Sequence, residues 1–326
     1  MKRIANKLFT SLIFSTIVIS AFSQNSNIAP INVVTSAVPF LKISPDSRAG
    51  GMGDLGVATT PDANSQFYNI AKYPFAEKST GLGMTYTPWL KDLGLNDVYL
   101  ASLAGYYKLD EVQSISASLR YFSLGTIALT DFAGQNLGVA RGRESALDVG
   151  YARKLSDKLS LGVALRYINS NLTGDASING VNYKPGNSVA GDIGLYYNGH
   201  DDNGGGLSMG LAMTNLGAKI GYTAISTQKS YIPANLTLGA MYTTVSNEVS
   251  KLAFGVDVHK LMVPTPPSDT STIAFEDYVS KGVVSSWFSS FGDAPGGFAE
   301  ELKEYSFSVG GAVSYTHLTL PTKRIV

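Results

Sequence analysis

Ser114-Ile-Ser-Ala-Ser-Leu-Arg-Tyr121 and Ser160-Leu-Gly-Val-Ala-Leu-Arg-Tyr167 decide how this chain folds. In the first, Ile115, Ala117, Leu119 and Tyr121 fall on one face and Ser114, Ser116, Ser118 and Arg120 on the other. In the second, Leu161, Val163, Leu165 and Tyr167 oppose Ser160, Gly162, Ala164 and Arg166. Period-2 alternation is the mark of a β-strand with one apolar face. The rhythm recurs where Leu207, Met209, Leu211 and Met213 oppose Ser208, Gly210, Ala212 and Thr214. It recurs again where Leu252, Phe254, Val256 and Val258 oppose Ala253, Gly255, Asp257 and His259, and at Tyr305, Phe307 and Val309. Noisier strands are read over 80–88, 97–108, 144–154, 188–198 and 234–244, so the sequence predicts roughly ten.

A soluble β-sandwich produces the same alternation, with the apolar face turned inward. Three features favour the inverse arrangement, a transmembrane antiparallel β-barrel with apolar residues facing lipid. Many strands have the roughly 9–12 residues that a tilted bilayer crossing requires. The second face is made of Gly, Ser and Ala with few charges, and charged residues are only 15% of the chain. Tyr86, Tyr106, Tyr107, Tyr121, Tyr151, Tyr167, Tyr196, Tyr197 and Tyr242 gather near strand ends, as an interfacial girdle does. Connections alternate as well. Leu109–Val112, Leu155–Lys158, Gly199–Gly205 and Ser246–Ser250 are short, whereas Leu90–Asn96, Gly125–Arg143, Asn171–Asn187, Gly217–Pro233 and Leu261–Lys303 are mostly longer. Short periplasmic turns and long extracellular loops are the expected asymmetry of an outer-membrane barrel. On this face assignment a charge at Val163 is costly, while Gly162→Ala, toward the lumen, is mild.

The ends are read separately. Residues 1–23 form a signal peptide: Lys2, Arg3 and Lys7 precede an apolar run that ends at Ala21-Phe22-Ser23. Residues 24–79 form an N-terminal periplasmic or plug segment, and residues 80–312 the barrel. Val313-Ser-Tyr-Thr-His-Leu-Thr-Leu-Pro-Thr322 resembles a translated transposon-end sequencing adapter, so 313–326 is expected to be a non-native tail in which His317 has no role. With three basic residues of the leader and two of the tail set aside from 25 basic and 25 acidic, residues 24–312 carry a net charge of −5. No basic stripe remains to suggest nucleic acid. The absence of cysteine excludes disulfides, thiolate metal sites and a lipidated N-terminal cysteine.

Phe40-Leu-Lys-Ile-Ser-Pro-Asp-Ser-Arg-Ala-Gly50, Gly51-Met-Gly-Asp-Leu-Gly56, Tyr86-Thr-Pro-Trp-Leu90, Gly105-Tyr-Tyr-Lys108, Ser118-Leu-Arg-Tyr-Phe-Ser-Leu-Gly125 and Leu165-Arg-Tyr-Ile168 resemble the PorV (LptO) family of the Bacteroidetes type IX secretion system, from Pro39 to at least Val258. The resemblance implies a FadL-like barrel of 14 strands, about four more than are read here. It also implies an outer-membrane protein that binds the secretion translocon and accepts or shuttles exported cargo through a C-terminal signal domain. A lipid A deacylase and a FadL-like hydrophobic-solute channel are the alternative functions. Outer-membrane lipid is the remaining expected partner, and no cofactor is expected.

Candidate sites are few. Gly51-Met-Gly-Asp-Leu-Gly56 matches G-x-G-x-x-G, but Ser44–Gly50 is not the buried strand a dinucleotide site requires, and tight packing in the barrel mouth explains the glycines better. Asp257 and His259, two apart on the lumenal face, are the weak catalytic candidates; a hydrolase would also need a nucleophile beside the base. His200 sits in an expected periplasmic turn beside Asp201 and Asp202. Two native histidines without cysteine give no metal constellation. Arg120, Arg166, Asp148, Asp192 and Asp257 project into the lumen, as charged channel walls or as ion pairs that close the barrel around its plug. The loop Leu261–Lys303 carries Phe275, Tyr278, Trp287, Phe288 and Phe291, which suit either a partner interface or a helix over Ser280–Phe291 packed on the barrel.

Overall fold

The computed structural model describes residues 34–130, 133–173, 177–178, 181–223, 229–247, 250–267 and 271–315. The leader over 1–23 and His317 lie outside them. The alternating segments form β1 (Thr80–Pro88), β2 (Val98–Lys108), β3 (Gln113–Thr130), β4 (Asn136–Lys154), β5 (Leu159–Asn171), β8 (Gly186–His200), β9 (Gly206–Gly217), β10 (Asn235–Asn247), β11 (Ser250–Leu261) and β12 (Tyr305–Tyr315). A small hairpin, β6 (Ser177–Ile178) and β7 (Val181–Asn182), stands between β5 and β8. The ten long strands make one antiparallel sheet in chain order, an up-and-down barrel wall. β12 continues through Val313, Ser314 and Tyr315, which pair with Leu252, Lys251 and Ser250, so the strand crosses the boundary expected for the tail.

Short connections at one end are shaped by side-chain acceptors. The Asp110 carboxylate accepts from the Val112 and Gln113 amides at 2.8 and 2.7 Å, and Asp201 accepts from Asn203 and Gly205 at 3.0 and 2.9 Å. Such local bonds satisfy the turn without a long loop. At the other end, the expected long loop Gly125–Arg143 is mostly an extension of β3 and β4, which pair from Gly125↔Gly142 to Thr130↔Asn136. A register shift between Ser123 and Gly125 offsets the two halves of β3.

The apolar face points outward. Met84 is 80% exposed and Leu165 65%, whereas Arg120 is 1% exposed and Asp148 0%. What buries the polar face is the chain ahead of β1. This inner segment consists of 3-10 turns at Pro39–Lys42, Ala63–Phe67 and Ile70–Phe75 and a short helix, α1 (Ser47–Gly51). Side chains cap these turns: Asp46 accepts from the Arg48 and Ala49 amides, Asp62 and Ser65 form a reciprocal capping box, and Asn69 accepts from the Ala71 amide.

The inner segment touches all ten strands of the sheet. Gly83 of β1 faces Ala63 and Asn64, and Tyr106 of β2 stacks on Tyr73 with centroids 4.7 Å apart. Ser116 of β3 donates to the Gln66 amide oxygen, and Gly150 of β4 faces Ile70. Ser160 of β5 donates to the Ala71 carbonyl, and Asn69 donates to the Leu195 carbonyl of β8 at 2.9 Å. Ser208 of β9 donates to the Ala58 carbonyl at 2.7 Å, and Gly239 of β10 lies against Val57. Asp257 of β11 accepts from the Gly56 and Val57 amides at 2.9 and 3.1 Å, and Gly310 of β12 meets the Met52 carbonyl.

This packing corrects the expectation for Gly162. A Cβ there would lie 2.4 Å from Ile70 Cγ1 and 2.8 Å from the Ala71 amide nitrogen, so the substitution is not mild. The lumenal face lacks side chains at such positions because backbone fills the space.

Candidate functional site

The lumenal charges form a network across three strands. Asp148 and Arg166 are direct cross-strand partners on β4 and β5. Arg166 Nε grips Asp148, Nη2 reaches Asp192 of β8 at 2.8 Å, and Nη1 meets the Asn215 amide oxygen of β9. Ser118 donates to Asp148 at 2.9 Å, and the Asn215 backbone N–H donates to Asp192 at 2.7 Å. Every member is buried. A buried guanidinium flanked by two carboxylates, each with further donors, is a closed polar lattice and not an open conducting wall. Asn215, in the left-handed region at φ 58°, was invisible to alternation, yet it completes this set.

Asp257 and His259 line one cavity of about 340 Å³ between the inner segment and β9–β12, but their side chains serve different partners. The Asp257 carboxylate holds the Gly56 and Val57 amides, which ties the glycine-rich segment to β11. His259 Nδ1 lies 3.0 Å from the Thr237 hydroxyl of β10, its antiparallel neighbour in register. The Thr237 oxygen also accepts from Asn235 Nδ2 at 2.8 Å. A hydroxyl and a ring nitrogen are thus adjacent, but the acid two residues away orients backbone and not the imidazole. His200 closes β8 beside Asp201, apart from this cavity. Among the described residues, no group of three or more His, Cys, Asp and Glu is arranged to hold a metal. Gly51–Gly56 spans the end of α1 and the turn after it, with no preceding strand.

Between β11 and β12 the described residues form three helices: α2 (Thr272–Ser280), α3 (Val283–Ser289) and α4 (Phe298–Glu301). The expected helix over Ser280–Phe291 corresponds to α3. Its small faces turn inward, with Ser286 and Ser290 fully buried, while Phe288 is 69% exposed. Phe275 of α2 and Phe291 are exposed too. Tyr278 and Trp287 are half-buried. Tyr278 packs edge-on to Tyr231 at 5.7 Å, its carbonyl accepts from the Tyr231 hydroxyl at 3.1 Å, and burial pushes its own phenol up to about 12. The five aromatics therefore divide: Tyr278 anchors α2 through Tyr231, Trp287 is half-buried, and Phe275, Phe288 and Phe291 face out.

An ionic clamp fixes the far end of this segment. Lys260 Nζ, buried on β11, lies 2.6 Å from Glu301 and also binds Glu304. Glu304 in turn accepts from the Thr265 hydroxyl at 2.7 Å, and Thr265 donates to Asp293 at 3.1 Å. Lys219 adds a second anchor through the carbonyls of Val279 and Lys281, at 2.6 and 2.8 Å.

Among solved structures, this chain is similar to the Pseudomonas putida toluene transporter TodX, at 14% identity over 65% of this chain and 69% of that one, with a TM-score of 0.39. It is similar to the CymD monoaromatic hydrocarbon channel, at 13% identity over 65% and 68%, with a TM-score of 0.41. A Pseudomonas aeruginosa FadL homologue is matched at 10% identity over 72% and 59%, with a TM-score of 0.30. No curated protein matches the chain. The family model described as type IX secretion system protein PorV matches residues 25–268. That span takes in the inner segment, β1 to β11, the charge network and the Asp257 tether, and with it the chain belongs to the PorV family of the type IX secretion system.

Proposed function

We propose that this protein is a multi-pass β-barrel of the outer membrane of a Gram-negative bacterium, and that it binds the type IX translocon and accepts or shuttles exported cargo through the cargo's C-terminal signal domain. The observation that carries the proposal is the trio Phe275, Phe288 and Phe291, exposed on α2, on α3 and just after α3, in a segment that the Lys260–Glu301–Glu304 clamp and Lys219 fasten to the barrel. Aromatic side chains on a rigid support bind partners at low entropic cost. The outward apolar face of the strands supports the membrane placement. The inner segment acts as the plug, so traffic passes beside this lumen and not through it.

The test is deletion of residues 275–291 in the full-length protein, followed by pull-down from solubilised outer membrane. Co-purification of translocon and cargo is expected to fall while heat-modifiable migration shows a folded barrel. Undiminished co-purification would overturn the assignment.

Lipid A deacylation is the second reading, favoured by one observation, the Thr237 hydroxyl beside His259 Nδ1. It needs an acid to orient the imidazole, and Asp257 is committed to the Gly56 and Val57 amides.

A further inference from the structure

Glu144 of β4 is 3% exposed and is only partly satisfied. Its Oε1 accepts from the Ser170 hydroxyl at 2.7 Å, and the Ser170 oxygen accepts from the Tyr222 hydroxyl at 3.0 Å. Both hydroxyls thus send their protons toward the carboxyl group, the arrangement that favours its anionic form. Oε2 accepts no hydrogen bond among the described residues, yet it is not sealed from a water-sized probe. A carboxylate withdrawn from water is costly unless a cation meets it. An open oxygen of this kind beside a cavity marks a missing positive group.

No basic side chain nearby supplies it. Among the described residues Glu144 makes no ion pair. Lys229 lines the same cavity but is exposed at its edge. Lys219 is held by the Val279 and Lys281 carbonyls, with its Nζ 4.1 Å from the centre of the Tyr231 ring. Arg143, the preceding residue, is exposed on the other face of β4.

The cavity, about 540 Å³, falls within the size range of small-molecule sites. It lies at the end of the barrel with the long connections, between the start of the inner segment, the chain from β9 to β10 and α2. Four aromatic rings line it, Tyr222, Tyr231, Phe275 and Tyr278, and the faces of such rings attract cations. Lys219 on Tyr231 is one instance already in place. Val38, Leu124 and Leu172 add apolar surface. We propose that this cavity binds a small alkylammonium ion, its N–H donors toward Oε2 of Glu144, its charge among the rings and its apolar body against Val38, Leu124 and Leu172. Partner binding through the outer helices makes no use of Glu144, so the two assignments stand or fall separately.

The test is isothermal titration of the full-length protein in non-ionic detergent near neutral pH, against a detergent blank, with hexylammonium, hexan-1-ol and ammonium chloride as probes. Hexylammonium is expected to bind saturably at one site, and neither the alcohol nor bare ammonium is expected to match it. Glu144→Gln keeps the shape and an acceptor for Ser170 but removes the charge, and should weaken hexylammonium by about tenfold or more while leaving translocon and cargo co-purification unchanged. Ala37→Trp fills the cavity from the inner segment and should abolish binding with Glu144 untouched. Both variants are checked for heat-modifiable migration, and if Glu144→Gln fails to fold, Ala37→Trp decides. Absence of saturable hexylammonium binding would overturn the proposal, as would hexanol or ammonium binding as tightly, or a folded variant binding hexylammonium like the parent.

Discussion

Gly210 of β9 is a sensitive place to perturb this protein. A Cβ added there would sit 2.1 Å from the Val57 carbonyl oxygen and 2.7 Å from its carbonyl carbon. Both are backbone atoms, so no rotamer change relieves the clash. Regaining a contact of 3.4 Å from 2.1 Å requires a shift of about 1.3 Å. Val57 is poorly placed to make that shift. Its amide is held by Asp257 at 3.1 Å, and its carbonyl accepts from Asn69 Nδ2 at 3.1 Å. Overpacking costs about 1–3 kcal/mol, and a lost hydrogen bond to a charged group about 1.5–3 kcal/mol. Gly210→Ala is therefore expected to destabilise the folded barrel by about 2.5–6 kcal/mol. The control is Gly191→Ala on β8, where the nearest neighbour of an added Cβ is the Ala164 carbonyl at 3.5 Å, an ordinary contact. Equilibrium urea unfolding of barrels refolded into lipid vesicles, with heat-modifiable migration as the readout of folded protein, measures the difference. Equal midpoints and slopes for the two variants would refute the close packing of backbone on wall.

Val163 points outward on β5, and Val163→Arg is expected to cost about 2–4 kcal/mol near the bilayer midplane in the same unfolding assay. Lys72 is buried, donates to the Gly56 carbonyl and the Thr59 hydroxyl, and is lowered by burial from 10.5 to about 8. The unfolded chain therefore binds the extra proton between those values, so stability should rise as pH climbs from 8 to 10.5, and Lys72→Met should flatten that slope in urea titrations at stepped pH. His259→Ala is expected to leave both secretion and lipid A acylation unchanged, by mass spectrometry of lipid A and of the culture medium; altered acylation with an intact barrel would establish the enzyme reading instead.

The walls of this molecule were legible because each strand repeats one instruction, apolar out and small or polar in. All ten long strands appear where that alternation places them. The β3–β4 extension was hidden by the irregularity at Ser123–Gly125, since an extra residue reverses which parity faces outward and erases the pattern at that point. The sequence names the lumenal charges one strand at a time, and the register then makes Asp148 and Arg166 neighbours. What no local pattern carries is the route of the inner segment. Its contacts join residues as far apart as Gly56 and Asp257, and its own stretch has neither a helical nor a strand period. The glycines and serines along the wall were visible, but their meaning, as room and hydrogen bonds for another piece of backbone, comes only from three dimensions. Likewise the aromatics after β11 were found, but the sequence left open which of them anchor and which protrude.

The passage of one short segment across every strand has a consequence for assembly. A strand that paired one residue out of place would turn its glycines and serines toward lipid and bring leucines and valines inside. The segment would then meet bulk where it needs room, and the amides of Gly56 and Val57 would find no carboxylate. Seating the segment is thus an inspection that only a correctly registered wall passes, carried out by residues synthesised before the wall itself. A barrel with a slipped strand should leave its N-terminal segment outside, open to protease, and so mark itself as misassembled.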